Sequence, residues 1–208
     1  MSWEGPAPPH RIETERLVIR CYDPHDAPLT KDAIDSSLEH LRPWMPWARD
    51  EPVTLEEKAD LLEHFRSNFE AGEDFPYGIF SADEREQLGG TGLHPRVGPG
   101  GLEIGYFVRA SAVRQGIVTE STAALTRVGF EVCGADRIEI RIDPQNQASF
   151  GVPRKLGFTE EATLRRRLPS PEGEPLRDVT IWTMFREDYD PAIAPTLRAF
   201  DALGSQLL

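Results

Sequence analysis

Residues 102–120 read LEIGYFVRASAVRQGIVTE and carry the strongest structural signal in this chain of 208 residues. The apolar segment 102–109 predicts a strand, and apolar residues recur on one helical face of the segment 117–132. The first turn of a helix presents unpaired N–H groups and a partial positive charge, and Gly116 lets a ligand approach the backbone closely. This junction predicts a cradle for a pyrophosphate group, although many such turns bind nothing.

Regular patterns continue on both sides of this junction. Thr54 and Glu57 have the spacing of a capping box, which predicts a helix that ends near Gly72. Further strands are predicted at residues 16–22, 77–82, 88–94, 137–142, from 158 onward and at 178–185, with helices over 146–156 and 190–208.

The order of these elements predicts an α/β fold. We expect a mixed, mostly antiparallel seven-stranded sheet with a central βαβ crossover and flanking helices. A single domain is expected over residues 12–188. Residues 1–11 then form an N-terminal extension, and residues 189–208 form a C-terminal extension that contains a helix.

Composition restricts the possible partners. The chain has 23 basic and 35 acidic residues, and its net charge of −12 argues against binding to nucleic acid or to an anionic membrane. Mean hydropathy is −0.44, and neither a membrane span nor a secretory signal is recognisable. We expect a cytoplasmic protein, either a monomer or a homodimer. Residues 109–167 are locally basic, which fits an anionic ligand but fits a solvated surface slightly better.

Several other catalytic classes lack their motifs here. The sequence contains no nucleotide P-loop, no dinucleotide-binding glycine pattern before a helix and no nucleophile elbow. The five histidines do not have the spacing of metal ligands, and two cysteines cannot form a cysteine-rich metal site. We therefore expect no metal cofactor.

A second informative stretch is NQASFGVPRKLGF, residues 146–158. Together with the junction at Gly116, it resembles the Gcn5-related N-acetyltransferase (GNAT) family, and within it the branch that acetylates the N-terminal serine or alanine of ribosomal proteins. The resemblance covers residues 12–188. It rests on Thr14 to Arg20 (TERLVIR), Leu41 with Trp44 and Trp47, Ile104 to Tyr106, Asn146 with Ser149, Lys155 to Phe158, and Asp178 with Trp182.

The resemblance implies how acetyl-CoA would bind. Backbone amides of the 114–119 turn would hold the pyrophosphate, and the strand end at residues 106–108 would pair with the pantetheine amides. Asn146 would fix the pantetheine or acetyl end, while Ser149 would hydrogen-bond the sulfur of the leaving thiolate. The implied cofactor-binding residues are Tyr106, Phe107, Val108, Arg114, Gln115, Gly116, Ile117, Val118, Thr119, Asn146, Ser149 and Lys155.

The acceptor amine must attack as the free base, so a proton acceptor or a water relay is required. Glu103 is the preferred candidate, with a surface strand glutamate as the equally weighted alternative, and Asp143 is a weaker one. Catalysis would thus involve Ser149, Glu103 and Asn146. Trp44 and Trp47 would line the acceptor groove, or equally would form an aromatic core under a loop.

The implied reaction is transfer of an acetyl group from acetyl-CoA to a primary amine, with a protein N-terminal α-amine as the preferred acceptor. Three alternatives stay open: acetylation of a small-molecule amine, a non-catalytic acyl-CoA-binding module, and transfer of a longer acyl group. The second is kept open by departures from the family pattern at Val113, Val118 and Pro153. Pro153 also removes one helical hydrogen bond to the Ser149 carbonyl.

Overall fold

The computed structural model describes residues 3–170 and 174–208. The strands are β1 (Arg11–Glu13), β2 (Leu17–Cys21), β3 (Phe75–Ser81), β4 (Gln87–His94), β5 (Gly101–Val108), β6 (Arg137–Ile142), β7 (Thr159–Leu168), β8 (Arg177–Phe185) and β9 (Arg198–Phe200). The α-helices are α1 (Ala27–Asp35), α2 (Leu38–Leu41), α3 (Leu55–Glu70), α4 (Ile117–Glu131) and α5 (Gln147–Leu156).

The described strands form one sheet in the order β7-β8-β6-β5-β4-β3-β2-β1-β9. Among these strands only β5 and β6 pair in parallel, and α4 connects them, as in the predicted βαβ crossover. The mixed, mostly antiparallel α/β fold is thereby confirmed. The sheet has nine described strands rather than the predicted seven, because β1 and β9 were missed. Three residues are too few to show an alternating pattern.

The C-terminal extension differs from the expectation. The helix predicted over 190–208 is absent from this segment, which the structure describes in full. The segment contains a single 3₁₀ turn at Pro191–Ile193 and then β9, which pairs with β1 through Ile12 and Ala199. Pro191 and Pro195 account for the difference, since proline interrupts the hydrogen bonds of an α-helix interior. The sheet therefore extends beyond residues 12–188 at both ends.

The two faces of the sheet at β5 pack against different parts of the molecule. Leu102 and Ile104 point into the main core, where α4 contributes Leu125 and Val128. Full burial of such a side chain stabilises the fold by roughly 1.5–3 kcal/mol. The opposite face of β5 carries the alternate residues 103, 105 and 107. On that face a smaller apolar cluster of Tyr22, Ala27 and Leu62 joins the sheet to α1 and α3.

An opening lies between β5 and β6. The two strands pair only from Gly101 to Glu103 on β5 and from Arg137 to Glu139 on β6. Beyond these pairs the strands diverge, so the backbone of residues 104–108 has no strand partner on its β6 side. The start of α4 and the start of α5 both lie next to this opening, which places the predicted site there.

Across residues 3–170 and 174–208, no helix combines the length and the apolar character that crossing a membrane requires.

Candidate active site

The opening between β5 and β6 leads into a cavity of about 770 Å³. This volume lies within the range of roughly 300–1,000 Å³ that is usual for ligand pockets. Three parts of the chain meet around it: the 40–45 segment, the end of β5 with the turn before α4, and the start of α5. The lining residues include His40, Trp44, Met45, Tyr106, Phe107, Val108, Val113, Arg114, Gly116, Ile117, Val118, Thr119, Asn146, Ser149 and Lys155.

The N-terminus of α4 forms one wall of this cavity. Gly116 is the N-cap, with a left-handed φ of 81°, and no described side chain caps the helix there. The N–H of Glu120 makes the first helical bond, to the Gly116 carbonyl at 2.9 Å. The N–H groups of residues 117–119 precede that bond and have no intrahelical acceptor. The cavity wall can therefore donate several hydrogen bonds to an anion.

In the turn before α4, Arg114 lines the cavity and Gln115 does not. Arg114 is exposed and lines the cavity with a left-handed φ of 64°. Gln115 is not among the lining residues, because its side chain donates to the Ser111 carbonyl at 2.8 Å. The geometry thus favours Arg114 over Gln115 as a side chain that reaches an anionic ligand.

A cluster from the start of β2 holds the first turn of α4 in place. Glu120 accepts hydrogen bonds from Thr14 Oγ1 at 2.6 Å and from Arg16 Nε at 2.8 Å. Arg16 also donates to the Gln115 carbonyl at 3.2 Å. Sequence reasoning had used Thr14 and Arg16 only as family motif residues. Their contacts with the turn join segments about 100 positions apart, and no local pattern reveals such contacts.

The predicted pair on α5 also lines the cavity. Asn146 is the N-cap of α5, and its Oδ1 accepts the N–H of Ser149 at 3.3 Å. Within the described part of the chain, Ser149 Oγ makes no hydrogen bond, and Ser149 lines the cavity. The hydroxyl is therefore available to a ligand, while Asn146 has a capping role that the sequence analysis did not assign to it.

Tyr106 and Pro153 connect the two walls. Pro153 lies inside α5, so it cannot donate to the Ser149 carbonyl as a regular helix would require. The Tyr106 hydroxyl donates to that carbonyl instead, at 3.4 Å. Burial raises the pKa of Tyr106, so the phenol stays protonated and remains a donor. The departure at Pro153 is thus matched by a contact that ties α5 to β5.

The two predicted proton acceptors lie in ion pairs. Glu103 is buried and is not one of the described lining residues. Arg96 donates to both of its oxygens, at 2.6 and 3.1 Å. Asp143 is also buried, with Arg177 Nη1 at 2.7 Å from Oδ2. The structure therefore does not bring either carboxylate to the cavity as an unengaged base.

The two tryptophans occupy different positions. Trp44 lines the cavity directly. Trp47 does not, but its ring stands edge-on against Phe107 with centroids 5.3 Å apart, and it is 39% exposed. Trp44, Met45 and Phe107 form the aromatic part of the cavity lining, called here the aromatic end. The start of α4 forms its polar end.

A second groove of about 570 Å³ continues from the polar end. It shares Gly116, Thr119 and Lys155 with the cavity, and Arg16 lies on it. The C-terminal segment 193–196 forms its other side. An elongated anionic ligand could therefore extend from the aromatic end past α4 into this groove. The contribution of residues 193–196 was not foreseen, because it depends on how β9 docks.

The residues that the structure describes contain no group of three or more histidine, cysteine, aspartate or glutamate side chains arranged to hold a metal ion.

Known proteins resemble this chain in sequence and in fold. The model of the family described as "Acetyltransferase (GNAT) domain" matches residues 16–159. The chain is 27% identical over 167 residues to the ribosomal protein uS5-alanine N-acetyltransferase of Escherichia coli (strain K12), covering 77% of this chain and 84% of that protein. It is 25% identical over 156 residues to the uncharacterized N-acetyltransferase YoaA of Bacillus subtilis (strain 168), covering 74% of this chain and 86% of that protein.

Among solved structures, Mycobacterium smegmatis RimJ in complex with CoA-disulfide shares the fold. Its TM-score is 0.75 at 24% sequence identity, and the match covers 88% of this chain and 91% of that chain.

Proposed function

Because the chain belongs to the family of GNAT acetyltransferase domains, we propose that it acetylates the α-amine of a protein N-terminus. Membership confirms the family that the motifs had indicated, and with it an N-acetyltransferase activity. Acetyl-CoA as the acetyl donor is part of the proposal. The acceptor is the new part of the proposal. Its support is the likeness to the uS5-alanine N-acetyltransferase of Escherichia coli, whose name gives an alanine of a ribosomal protein as its acceptor.

One observation carries the proposal: a single cavity joins the open N-terminus of α4 to the aromatic end at Trp44 and Phe107. The N–H groups of residues 117–119 fit the pyrophosphate of acetyl-CoA, and Arg114 and Lys155 add positive charge beside it. The departures at Val113 and Val118 do not remove these donors, because backbone amides bind the anion. Val118 in addition packs partly against the main core.

The remaining residues fit the other parts of the reaction. The unpaired backbone of β5 at residues 106–108 can pair with the pantetheine amides. Acetyl-CoA supplies an activated thioester, and the cavity holds an amine beside it in one orientation. Ser149 Oγ, which has no protein partner among the described residues, can donate to the sulfur as negative charge develops there.

The aromatic end suits the start of a polypeptide. Trp44, Met45 and Phe107 offer contact area for the side chain and backbone of a first residue. The net charge of −12 attracts an ammonium group over a longer range. A small amine would satisfy the charge but would use little of the aromatic surface, and this difference can be measured.

We would first titrate the protein with acetyl-CoA by calorimetry, with NAD as the control nucleotide. Thiol release would then be followed with a peptide that begins with serine or alanine, the same peptide with its N-terminus already acetylated, and a polyamine. We expect acetyl-CoA to bind, NAD not to bind, and the free peptide to be the preferred acceptor. Turnover with the polyamine alone would indicate a small-molecule acetyltransferase, and binding without turnover would indicate a non-catalytic module.

Ser149→Ala tests the assignment of the hydroxyl. A hydrogen bond to a developing charge contributes about 1.5–3 kcal/mol, so kcat should fall about 10-fold to 150-fold. The Kd for acetyl-CoA should stay within about twofold, because the diphosphate contacts lie elsewhere. Ser149→Thr keeps a hydroxyl and should retain more of the rate. Full activity in Ser149→Ala would leave Ser149 with a structural role only.

A further inference from the structure

The structure contains a half-buried histidine–aspartate pair that neither the motifs nor the cavity lining had singled out. His94 is the last residue of β4, and its Nδ1 lies 2.6 Å from Oδ1 of Asp74, just before β3. The imidazole side chain is 15% exposed and the carboxylate 37% exposed. With Nδ1 hydrogen-bonded to a carboxylate, the neutral ring carries its proton on Nδ1 and leaves Nε2 as an acceptor.

The ring of His94 lies directly over the strand backbone at the opening. A Cβ atom added at Gly105 would lie 3.3 Å from Nε2, and one added at Gly92 would clash with the ring. Gly92 and Gly105 are paired on β4 and β5, so two glycines make room for the imidazole. No described residue donates to Nε2 or accepts from it.

Gly105 places Nε2 beside the part of β5 that lines the cavity. It precedes the cavity-lining Tyr106, and its face of β5 also carries Phe107, which lines the cavity at the aromatic end. The opening between β5 and β6 begins just past Glu103, two residues before Gly105. An amine that enters beside Phe107 therefore approaches the thioester from the same face of the sheet that holds Nε2.

The other charged groups on this face are already paired. Glu103 is the direct neighbour of His94 across the strands, and Arg96 binds it, with Arg141 3.7 Å away. Glu139, next along the row on β6, is bound by Arg137 and Arg141. Asp74 is the remaining charged group against the ring. Of the three neighbouring titratable side chains His94, Glu103 and Glu139, only His94 thus has a proton-accepting atom, Nε2, that is not bound by an arginine.

We propose that His94 accepts the proton of the acceptor ammonium through one bridging water, with Asp74 as the residue that orients the ring. This proposal rests on the proposed function. An N–H bond of the ammonium breaks, its proton passes to the water, and a water proton passes to Nε2. The nitrogen lone pair then forms the C–N bond as the C–S bond breaks, and the thiolate takes up the second amine proton. Asp74, partly exposed, stabilises the imidazolium until its proton is lost to solvent.

The test is the pH dependence of His94→Gln with an N-terminal peptide as acceptor. At pH about 7 a peptide amine is still mostly protonated while an ordinary imidazole is mostly neutral, so loss of the proton acceptor should lower kcat/KM at least about tenfold. Above the amine pKa of about 8 the acceptor arrives deprotonated, so the deficit should shrink to about twofold by pH about 9.5. The Kd for acetyl-CoA should be unchanged throughout. A deficit of equal size at every pH would overturn the proposal, because a purely structural role predicts that result.

Matched variants keep the test decisive. His25 makes the same 2.6 Å contact with Asp23, but its side chain is 97% exposed, so His25→Gln should leave the pH profile unchanged. Asp74→Asn should give a smaller deficit with the same pH dependence, and it serves if His94→Gln does not fold. A pH-dependent loss in His40→Gln instead would move the role to the histidine that lines the cavity.

If wild-type protein fails to bind acetyl-CoA, the proposed function fails. If it binds and turns over, and only the pH signature is missing, the role of His94 alone fails.

Discussion

The helices α3 and α4 begin in opposite ways. At the start of α3, Thr54 Oγ1 accepts the N–H of Glu57 at 3.2 Å, and Glu57 Oε2 accepts the N–H of Thr54 at 2.8 Å. The hydrogen bonds that the Glu57 carboxylate accepts, first from the Thr54 backbone N–H and then from the Thr54 hydroxyl at 2.7 Å, hold the pKa of Glu57 below its ordinary value. At the start of α4, Gly116 offers no side chain, and the N–H groups of residues 117–119 face a cavity.

The position of one acidic residue accounts for much of this difference. In α3 the glutamate is the third helical residue and folds back over the helix end. In α4 the third helical residue is Thr119, and the nearest acid, Glu120, is held by Thr14 and Arg16. At the start of α3, a side chain accepts one of the first backbone N–H groups, so this helix end is stabilised by the helix itself. At the start of α4, Glu120 is bound by Thr14 and Arg16, so the first backbone N–H groups remain available to a ligand.

Gly116→Glu should have the largest effect. The new carboxylate would lie where we place the pyrophosphate, and a φ of 81° is unfavourable for any residue with a side chain. We expect affinity for acetyl-CoA, measured by calorimetry, to fall at least about 100-fold.

Gly72→Glu is the matched control for that variant. Gly72 ends α3 with a φ of 71° and has no atom within 4 Å of an added Cβ, so backbone strain is similar but the cavity is remote. Its affinity for acetyl-CoA should match that of the wild type. Equal losses in the two variants would show that strain, rather than the cradle, explains the result.

Thr119→Glu would give α4 the acid that α3 has. A glutamate at the third helical position can fold back toward the N-cap backbone, and its charge repels a pyrophosphate. We expect the Kd for acetyl-CoA to rise about tenfold, while the melting temperature stays the same or rises slightly. Unchanged affinity with Thr119→Glu would mean that these N–H groups do not contact the diphosphate.

Thr54→Ala should have the smallest effect and should act on stability alone. Loss of an N-cap hydroxyl costs about 1 kcal/mol, which chemical denaturation can resolve. The Kd for acetyl-CoA should not change, since α3 begins away from the cavity. A loss of affinity for acetyl-CoA in Thr54→Ala would contradict the conclusion that the start of α3 is structural and the start of α4 binds the ligand.

Much of the fold could be predicted because its signals are local. The capping box at Thr54, the boundaries of α4 within one residue and the alternation along β6 all follow from neighbouring residues. The strands β1 and β9 could not be predicted in this way. Each has three residues and forms only by pairing with the other and with the rest of the sheet.

The candidate site likewise contains residues that local motifs identified and contacts that only the tertiary structure shows. Gly116 and Ser149 were identified from motifs, and the structure places both on one cavity. Glu103 was chosen because of its place on β5, but its engagement by Arg96 and Arg141 depends on side chains from a loop and another strand. The contact between Tyr106 and the Ser149 carbonyl was equally hidden, although Pro153 had signalled that this carbonyl lacked its helical donor.

The sequence by itself determined the capping box of α3, the bounds of α4 to within one residue, the alternation along β6, and that α4 starts at a glycine. Those properties depend on backbone sterics and on the period of apolar residues, which act over a few positions. Only the tertiary structure decided that Arg16 holds Glu120 aside and that Arg96 engages Glu103. It also brought His94 and Asp74 together over Gly105. Hydrogen bonds and ion pairs form only between groups that the fold has brought within about 3 Å of each other, and sequence spacing does not encode that distance.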